Sequence, residues 1–327
     1  MGEMPKLREW SEKDIRAFVK DLESLRCGEL AASALVGCGE RAIAPLRDFL
    51  LYGTPRTIFQ PRQLAVEALD ELGASEVLLE YLETPRSISD PAVRFAESAV
   101  ESNAARALGR WRTERVYDVL TRFAESHVLP GLVESLGLFE RKELVGYFLR
   151  ALEDDTCRNV AEDALRRLGG EARKALVEGA LCAKPSRANE IPSSRLRRRS
   201  CLRLLQQMIL GRRDWTRLQP LLKDVDPEIS LCAAEMALVL GDESDRKRAV
   251  RVLIAGLELR EWLLRLEARD WLLKYFGECE QAIRKEISVR SAKPEPEQRR
   301  DRALRSLLWV ESRGRDTTQE EMVAGNV

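Results

Sequence analysis

Small and apolar residues recur along this chain at offsets of three and four, and the same arrangement returns at a fixed distance. Four segments superimpose without a gap: Ala31-x-x-Ala34-Leu35 then Gly39, Ala65-x-x-Ala68-Leu69 then Gly73, Ala161-x-x-Ala164-Leu165 then Gly169, and Ala233-x-x-Met236-Ala237 then Gly241. The steps between these glycines are one, three and two units of 32–36 residues. Offsets of three and four place the small and apolar residues on one face of a helix. Alanine on that face lets a neighbouring helix come close, and glycine ends the helix because it takes the left-handed conformation at little steric cost. Amphipathic stretches at 42–52, 75–81, 115–123, 144–152, 172–181, 215–222 and 248–257 supply the partner helices. Helix pairs at this period bury their apolar faces only by stacking. The pattern predicts an all-α, right-handed solenoid of about nine stacked antiparallel pairs over residues 1–312. An insertion at 184–194 carries Pro185 and Pro192, a proline-bearing loop falls at 291–296, and the polar tail 313–327 is expected to be disordered.

Start signals agree with the period. Asp90-Pro91 and Asp226-Pro227 each offer a capping carboxylate followed by proline at the first helical position. Asp90-Pro91-Ala92-Val93-Arg94 resembles the D-P-x-V-R opening of the second helix in bacterial HEAT repeats, the type shared with phycobilisome lyases. Asp226-Pro227-Glu228-Ile229 is similar, with Ser230 where that family has arginine, and Asp154-Asp155-Thr156-Cys157-Arg158 keeps the aspartate and arginine without the proline. The resemblance implies ladders between neighbouring repeats, with Asp90, Asp154 and Asp226 as acids and Arg62, Arg94 and Arg158 as bases. It carries a fold and hardly any function.

Composition narrows the class further. Ala, Leu, Glu and Arg dominate, aromatics are 6%, and 54 acids balance 54 Lys and Arg. No whole-molecule field draws this chain to nucleic acid or a membrane surface. Seven cysteines occur without a C-x-x-C pair, mostly among small apolar neighbours, and read as buried structural thiols in a reducing compartment. The opening Met1-Gly2-Glu3-Met4-Pro5-Lys6 runs into charge rather than an apolar leader core, and no apolar run approaches a membrane span. A cytoplasmic protein is the expectation.

Chemistry is sparse. His127, the only histidine, reads as a surface or half-buried residue between helices, and no phosphate loop occurs. No cysteine–histidine spacing suits zinc, so neither a metal nor a cofactor is expected. The carboxylates fall at helix-surface spacing, and no catalytic motif is legible. The expectation is a protein that is not an enzyme.

Charge distribution is more informative. Residues 64–101 hold nine acids against two arginines, and residues 184–217 hold ten bases against two acids. Arg195, Arg197, Arg198, Arg199 and Arg203, with Arg212 and Arg213, are candidates for a basic surface that takes an acidic protein or peptide. The competing reading pairs them with acids of adjacent repeats. The apolar run from Trp262 through Trp271 to Phe276 nearly encircles its helix and reads as core. Taken together, the leading expectation is a non-catalytic scaffold binding a protein or extended peptide on its concave face. Nucleic-acid binding stands second, including kinship with HEAT-like alkylpurine DNA glycosylases, for which Trp215 beside Asp214 is a faint echo. A chromophore-attachment factor stands third, on the repeat type alone.

Overall fold

Ser11 opens the described helices with a capping box: its hydroxyl accepts from Asp14 N, and the Asp14 carboxylate accepts from Ser11 N at 2.9 Å. The computed structural model describes residues 10–24, 26–186 and 189–324. The reading of the first residues as a charged lead-in therefore lies outside it. The chain divides into two units, Met1–Leu168 and Gly169–Val327.

The first unit runs α1 (Glu12–Asp21), α2 (Gly28–Gly37), α3 (Ile43–Tyr52), α4 (Gln60–Glu71), α5 (Ser75–Glu83), α6 (Pro91–Leu108), α7 (Glu114–Ala124), α8 (Pro130–Gly137), α9 (Val145–Ala151) and α10 (Arg158–Leu168). Each odd-numbered helix packs on the even-numbered one that follows, and α2, α4, α6, α8 and α10 pack on one another in order. That is the stacking of an α-solenoid. The second unit repeats it with α11 (Arg173–Leu181), α12 (Pro192–Gln206), α13 (Arg212–Leu218), α14 (Pro227–Leu240), α15 (Glu243–Gly256), α16 (Trp262–Lys274), α17 (Phe276–Ser291), α18 (Glu295–Arg300) and α19 (Arg302–Ala324). Here α12, α14, α16 and α19 form the inner row, and α17 pairs with α19.

The repeat residues behave as their spacing predicts. Ala31, Ala65, Ala161 and Ala233 are 4% exposed or less. Gly39, Gly73 and Gly169 take positive φ of 63°, 72° and 52°, and after Gly73 the Ala74 amide closes a long turn on Leu69 O at 2.9 Å. Gly241 departs from the pattern. It ends α14 in extended backbone, φ −78° and ψ 161°, which frees Asp242 to cap α15 on Asp245 N. Gly131 lies inside α8 against α6: its amide donates to Ser102 Oγ at 2.9 Å, and a Cβ there would overlap Ser102 O.

Both predicted starts form. Asp90 accepts from Ala92 N and Val93 N at 2.8 and 3.4 Å, and Asp226 accepts from Glu228 N and Ile229 N at 3.1 and 3.2 Å. Three expectations need correction. The 184–194 insertion folds back on itself, with strand β1 (Pro185–Ser186) antiparallel to β2 (Asn189–Glu190), before Pro192 opens α12; residues 187 and 188 lie outside the described set. The 291–296 loop is shorter, because α17 continues to Ser291 and α18 starts at Glu295. The 313–327 tail is helical as far as Ala324, with residues 325–327 outside the described set. Two contacts favour that extension: Arg315 pairs with Glu311 one turn earlier, and Gly314 lies against the Phe276 ring where a Cβ would overlap.

No helix among the described residues is long and apolar enough to cross a membrane. No disulfide joins the cysteines among the described residues: Cys157, Cys201, Cys232 and Cys279 are buried, as read from their neighbours, whereas Cys27 and Cys182 are exposed at helix ends.

Candidate functional site

Pro192 starts α12, and the spacing of its arginines then decides what each can reach. Arg195, Arg199 and Arg203 stand four apart, on one face towards the start of α14. There Arg199 grips Asp226 with Nε–Oδ1 at 3.2 Å and Nη2–Oδ2 at 2.6 Å, and Glu228 at 2.7 Å. Arg195 reaches the same Asp226 at 3.4 Å, and Arg203 reaches Glu228 at 2.5 Å. Arg197 and Arg198 point the other way. Arg198 is 4% exposed and bonds Ala180 O, Glu190 and Asp224, while Arg197 is buried and bonds Cys182 O. Glu190 also accepts from Ser194 Oγ at 2.6 Å, so Arg198 ties the hairpin insertion to α12.

The expected basic surface is therefore mostly an electrostatic joint inside the second unit. Its acids Asp224, Asp226 and Glu228 come about one repeat later in the chain, where they sit beside the same helix face. Of the seven arginines, only Arg212 and Arg213 are exposed without an ionic partner among the described residues.

The ladder residues separate in the same way. Asp226 meets an arginine of the preceding repeat, as the resemblance implies, although that arginine is Arg199. Arg62 on α4 is 4% exposed and forks onto Glu97 of α6 at 2.9 and 3.0 Å, not onto an aspartate. Its remaining donors reach Leu50 O at 2.7 Å, and Phe49 O and Gly53 O at 3.3 Å, tying down carbonyls at the C-terminus of α3. Tyr81 completes the group by donating to Glu97 at 2.7 Å. Asp90 serves only as a cap, and Arg94 bonds backbone oxygens of Arg86 and Ile88. Asp154 accepts from Thr156 N, and Arg158 pairs with the adjacent Asp155 instead.

Along the inner row of the second unit a groove opens between α12, α14 and α16. One part, about 520 Å³, is lined by Arg195, Arg199, Val225, Pro227, Glu261 and Leu263. The next, about 300 Å³, has a floor of Leu231, Cys232 and Trp271 between Gln206 and Lys274. Arg203 and Glu267 line both parts. Trp262, at 63% exposed, and Leu263, at 55%, correct the reading of this helix as core: only Ala268 and Leu272 of α16 are buried. Val225 beside them is 79% exposed. Lys274 lies over the Trp271 ring, 4.7 Å from its centre. The arginines of the groove are matched, whereas Glu261 and Glu267 are exposed with no ionic partner among the described residues.

The groove's reactive groups are muted. Burial pushes the Cys232 thiol up to about 12, so it stays a thiol and not a nucleophile. Glu235 behind it is raised to about 7 by burial, against the opposing charge of Lys274. Trp215 is buried, donating to Asp245 at 2.9 Å, which places it in the core and away from any groove. His127 is half-buried and stacked on Phe123, ring centres 4.0 Å apart.

The pairing of Arg199 with Asp226 was legible as one of two alternatives, through spacing by one repeat. The exposure of Trp262 and Leu263 had no local signal. No family model matches the chain, and no curated protein matches it. Among solved structures, an engineered protein is similar over 91% of this chain and 97% of its own at 17% identity, with a TM-score of 0.18 that carries no argument.

Proposed function

We propose that the chain is a non-catalytic scaffold of HEAT-like repeats of the bacterial type, which binds an extended protein segment in the groove between α12, α14 and α16. The observation that carries this reading is the exposed apolar pair Val225 and Leu263 on the rim of a groove with an apolar floor. Exposed apolar residues gathered at a concave surface favour a partner that covers them. The charge preference differs from the acidic partner expected from the arginine count. The arginines of the groove already face Asp226 and Glu228, so its charges without an ion pair among the described residues are Glu261, Glu267 and Lys274, an acidic excess of one. A segment with an apolar anchor and a neighbouring Lys or Arg fits that arrangement. The two Asp-Pro caps support the kinship, and seven cysteines that form no disulfide support a reducing, cytoplasmic setting.

Selection from a random peptide library on the full-length protein tests the reading. Enriched peptides are expected to share an apolar side chain beside a basic one and to lose binding to a Leu263→Asp variant. No enrichment, or equal binding to Leu263→Asp, would overturn the groove as the working surface. Nucleic acid is the second reading, supported only by Arg212 and Arg213, the two unmatched arginines of the cluster. Titration with random-sequence DNA and RNA decides it: tight binding lost in an Arg212→Glu, Arg213→Glu double variant would replace the scaffold reading.

A further inference from the structure

The first unit holds a separate concavity of about 390 Å³ between the end of α5, one face of α6 and the end of α7. Arg94, Glu97 and Glu101 stand three and four residues apart on α6, so one helix face presents all three. Glu97 is fully engaged by Arg62 and Tyr81. Glu101 accepts no hydrogen bond among the described residues and has only a long ion pair to Arg86. It is 3% exposed, and its Oε2 is buried without a hydrogen-bond donor among the described residues. The nearest cation is Arg86, whose Nη1 stays 3.9 Å from Glu101 Oε1. A carboxylate removed from water without donors is costly, and burial, with Glu97 beside it, pushes this carboxyl up to about 7.

The complementary deficit lies in the same cavity. Arg94 directs Nη2 at two backbone oxygens and leaves Nε and Nη1 without an acceptor among the described residues, while its charge acts on Glu101. The Arg86 Nε makes no hydrogen bond either, although it lies 3.5 Å from Glu97 Oε1 as an ion pair. Between these groups the wall is apolar, formed by Leu82, Pro85, Val119 and Phe123. The cavity thus offers a buried acceptor without a donor, the open Nε and Nη1 of Arg94, and an apolar surface joining them.

We propose that this cavity binds an apolar α-amino acid as a free zwitterion. Its ammonium donates to Glu101, its carboxylate accepts from Arg94, and its side chain lies against Val119 and Phe123. Charge balance selects this class. Arg62, Arg86 and Arg94 face Glu97 and Glu101, so an amine alone would add to an existing cationic excess, and a carboxylate alone would meet Glu101. A zwitterion leaves the sum unchanged and satisfies both deficits. The volume lies at the lower end of small-molecule sites.

Calorimetric titration of the full-length protein with L-leucine and L-phenylalanine tests the assignment. Phenethylamine and 3-phenylpropionate serve as probes that each carry one charged half. The amino acids are expected to bind at least about tenfold more tightly than either half. Glu101→Gln, which keeps the shape, is expected to weaken binding by a similar factor while its thermal melt is retained. Should that variant fail to fold, the half-buried Arg94→Gln serves instead, with the same expected loss. The proposal is overturned by absence of binding at millimolar amino acid, by equal binding of either half-ligand, or by unchanged affinity in the folded variant.

Discussion

Glu101 and Asp245 are both buried to within a few per cent, yet their surroundings drive them in opposite directions. At Asp245 burial raises the pKa, but hydrogen bonds from Gln219 and Trp215 outweigh it and hold the carboxyl below its ordinary range. Its contribution to stability is present at neutral pH and is lost as the pH falls through its folded pKa. Glu101 has no such donors and is raised from 4.5 to about 7. The folded state therefore favours its neutral form. That advantage is complete below the unfolded value of 4.5 and disappears as the pH rises through about 7. A shift of this size corresponds to about 3 kcal/mol. Urea unfolding of wild type and Glu101→Gln should accordingly diverge with pH. The variant is expected to gain about 2 kcal/mol on wild type between pH 5 and pH 8. A gap that stays constant would show that Glu101 titrates normally. Nothing in the sequence separated this glutamate from its neighbour Glu97; the difference is whether Arg62, thirty-five residues away in the chain, reaches it.

Helices and their ends were the most legible level, because their signals are local. Asp90 and Asp226 were readable as caps from the proline that follows each, and three of the four repeat glycines take the left-handed turn expected of them. The alanines between carry the packing, and Ala161 is fully buried on α10. Replacing Ala161 with Leu overfills that contact and should lower stability by about 1–3 kcal/mol, seen as a lower melting temperature. A melt like wild type would mean that the inner row does not close on this residue. Asp226 is the more consequential end. It caps α14 and accepts both Arg195 and Arg199, so Asp226→Ala removes a cap, strands Arg195 and leaves Arg199 with Glu228 alone. A loss of about 2–4 kcal/mol is expected in chemical unfolding. Asp226→Asn should recover part of it, since the amide oxygen still caps while the charge is gone.

For the molecule as a whole, a neutral total conceals charge that is matched repeat by repeat. The Arg-rich run of the second unit is answered by Asp224, Asp226 and Glu228 within the same unit, and Arg62 by Glu97 within the first. Circular dichroism should accordingly report a strongly helical protein with negligible strand, since the described strands are two residues each. A substantial strand signal would contradict the fold. Periodicity at three and four, small residues at the packing face, and Asp-Pro starts determined the helices and their stacking, because each of those preferences acts within a turn or two of the chain. The sequence also determined that acids and bases would be equal in number. Only the tertiary structure decided which of them meet. Ion pairing and burial depend on positions a full repeat apart, so the arginines of α12 became joints, Val225 and Leu263 became a rim, and Glu101 was left without a hydrogen-bond donor. A side chain's local spacing gives its helix face; its electrostatic environment comes from the helix that packs beside it.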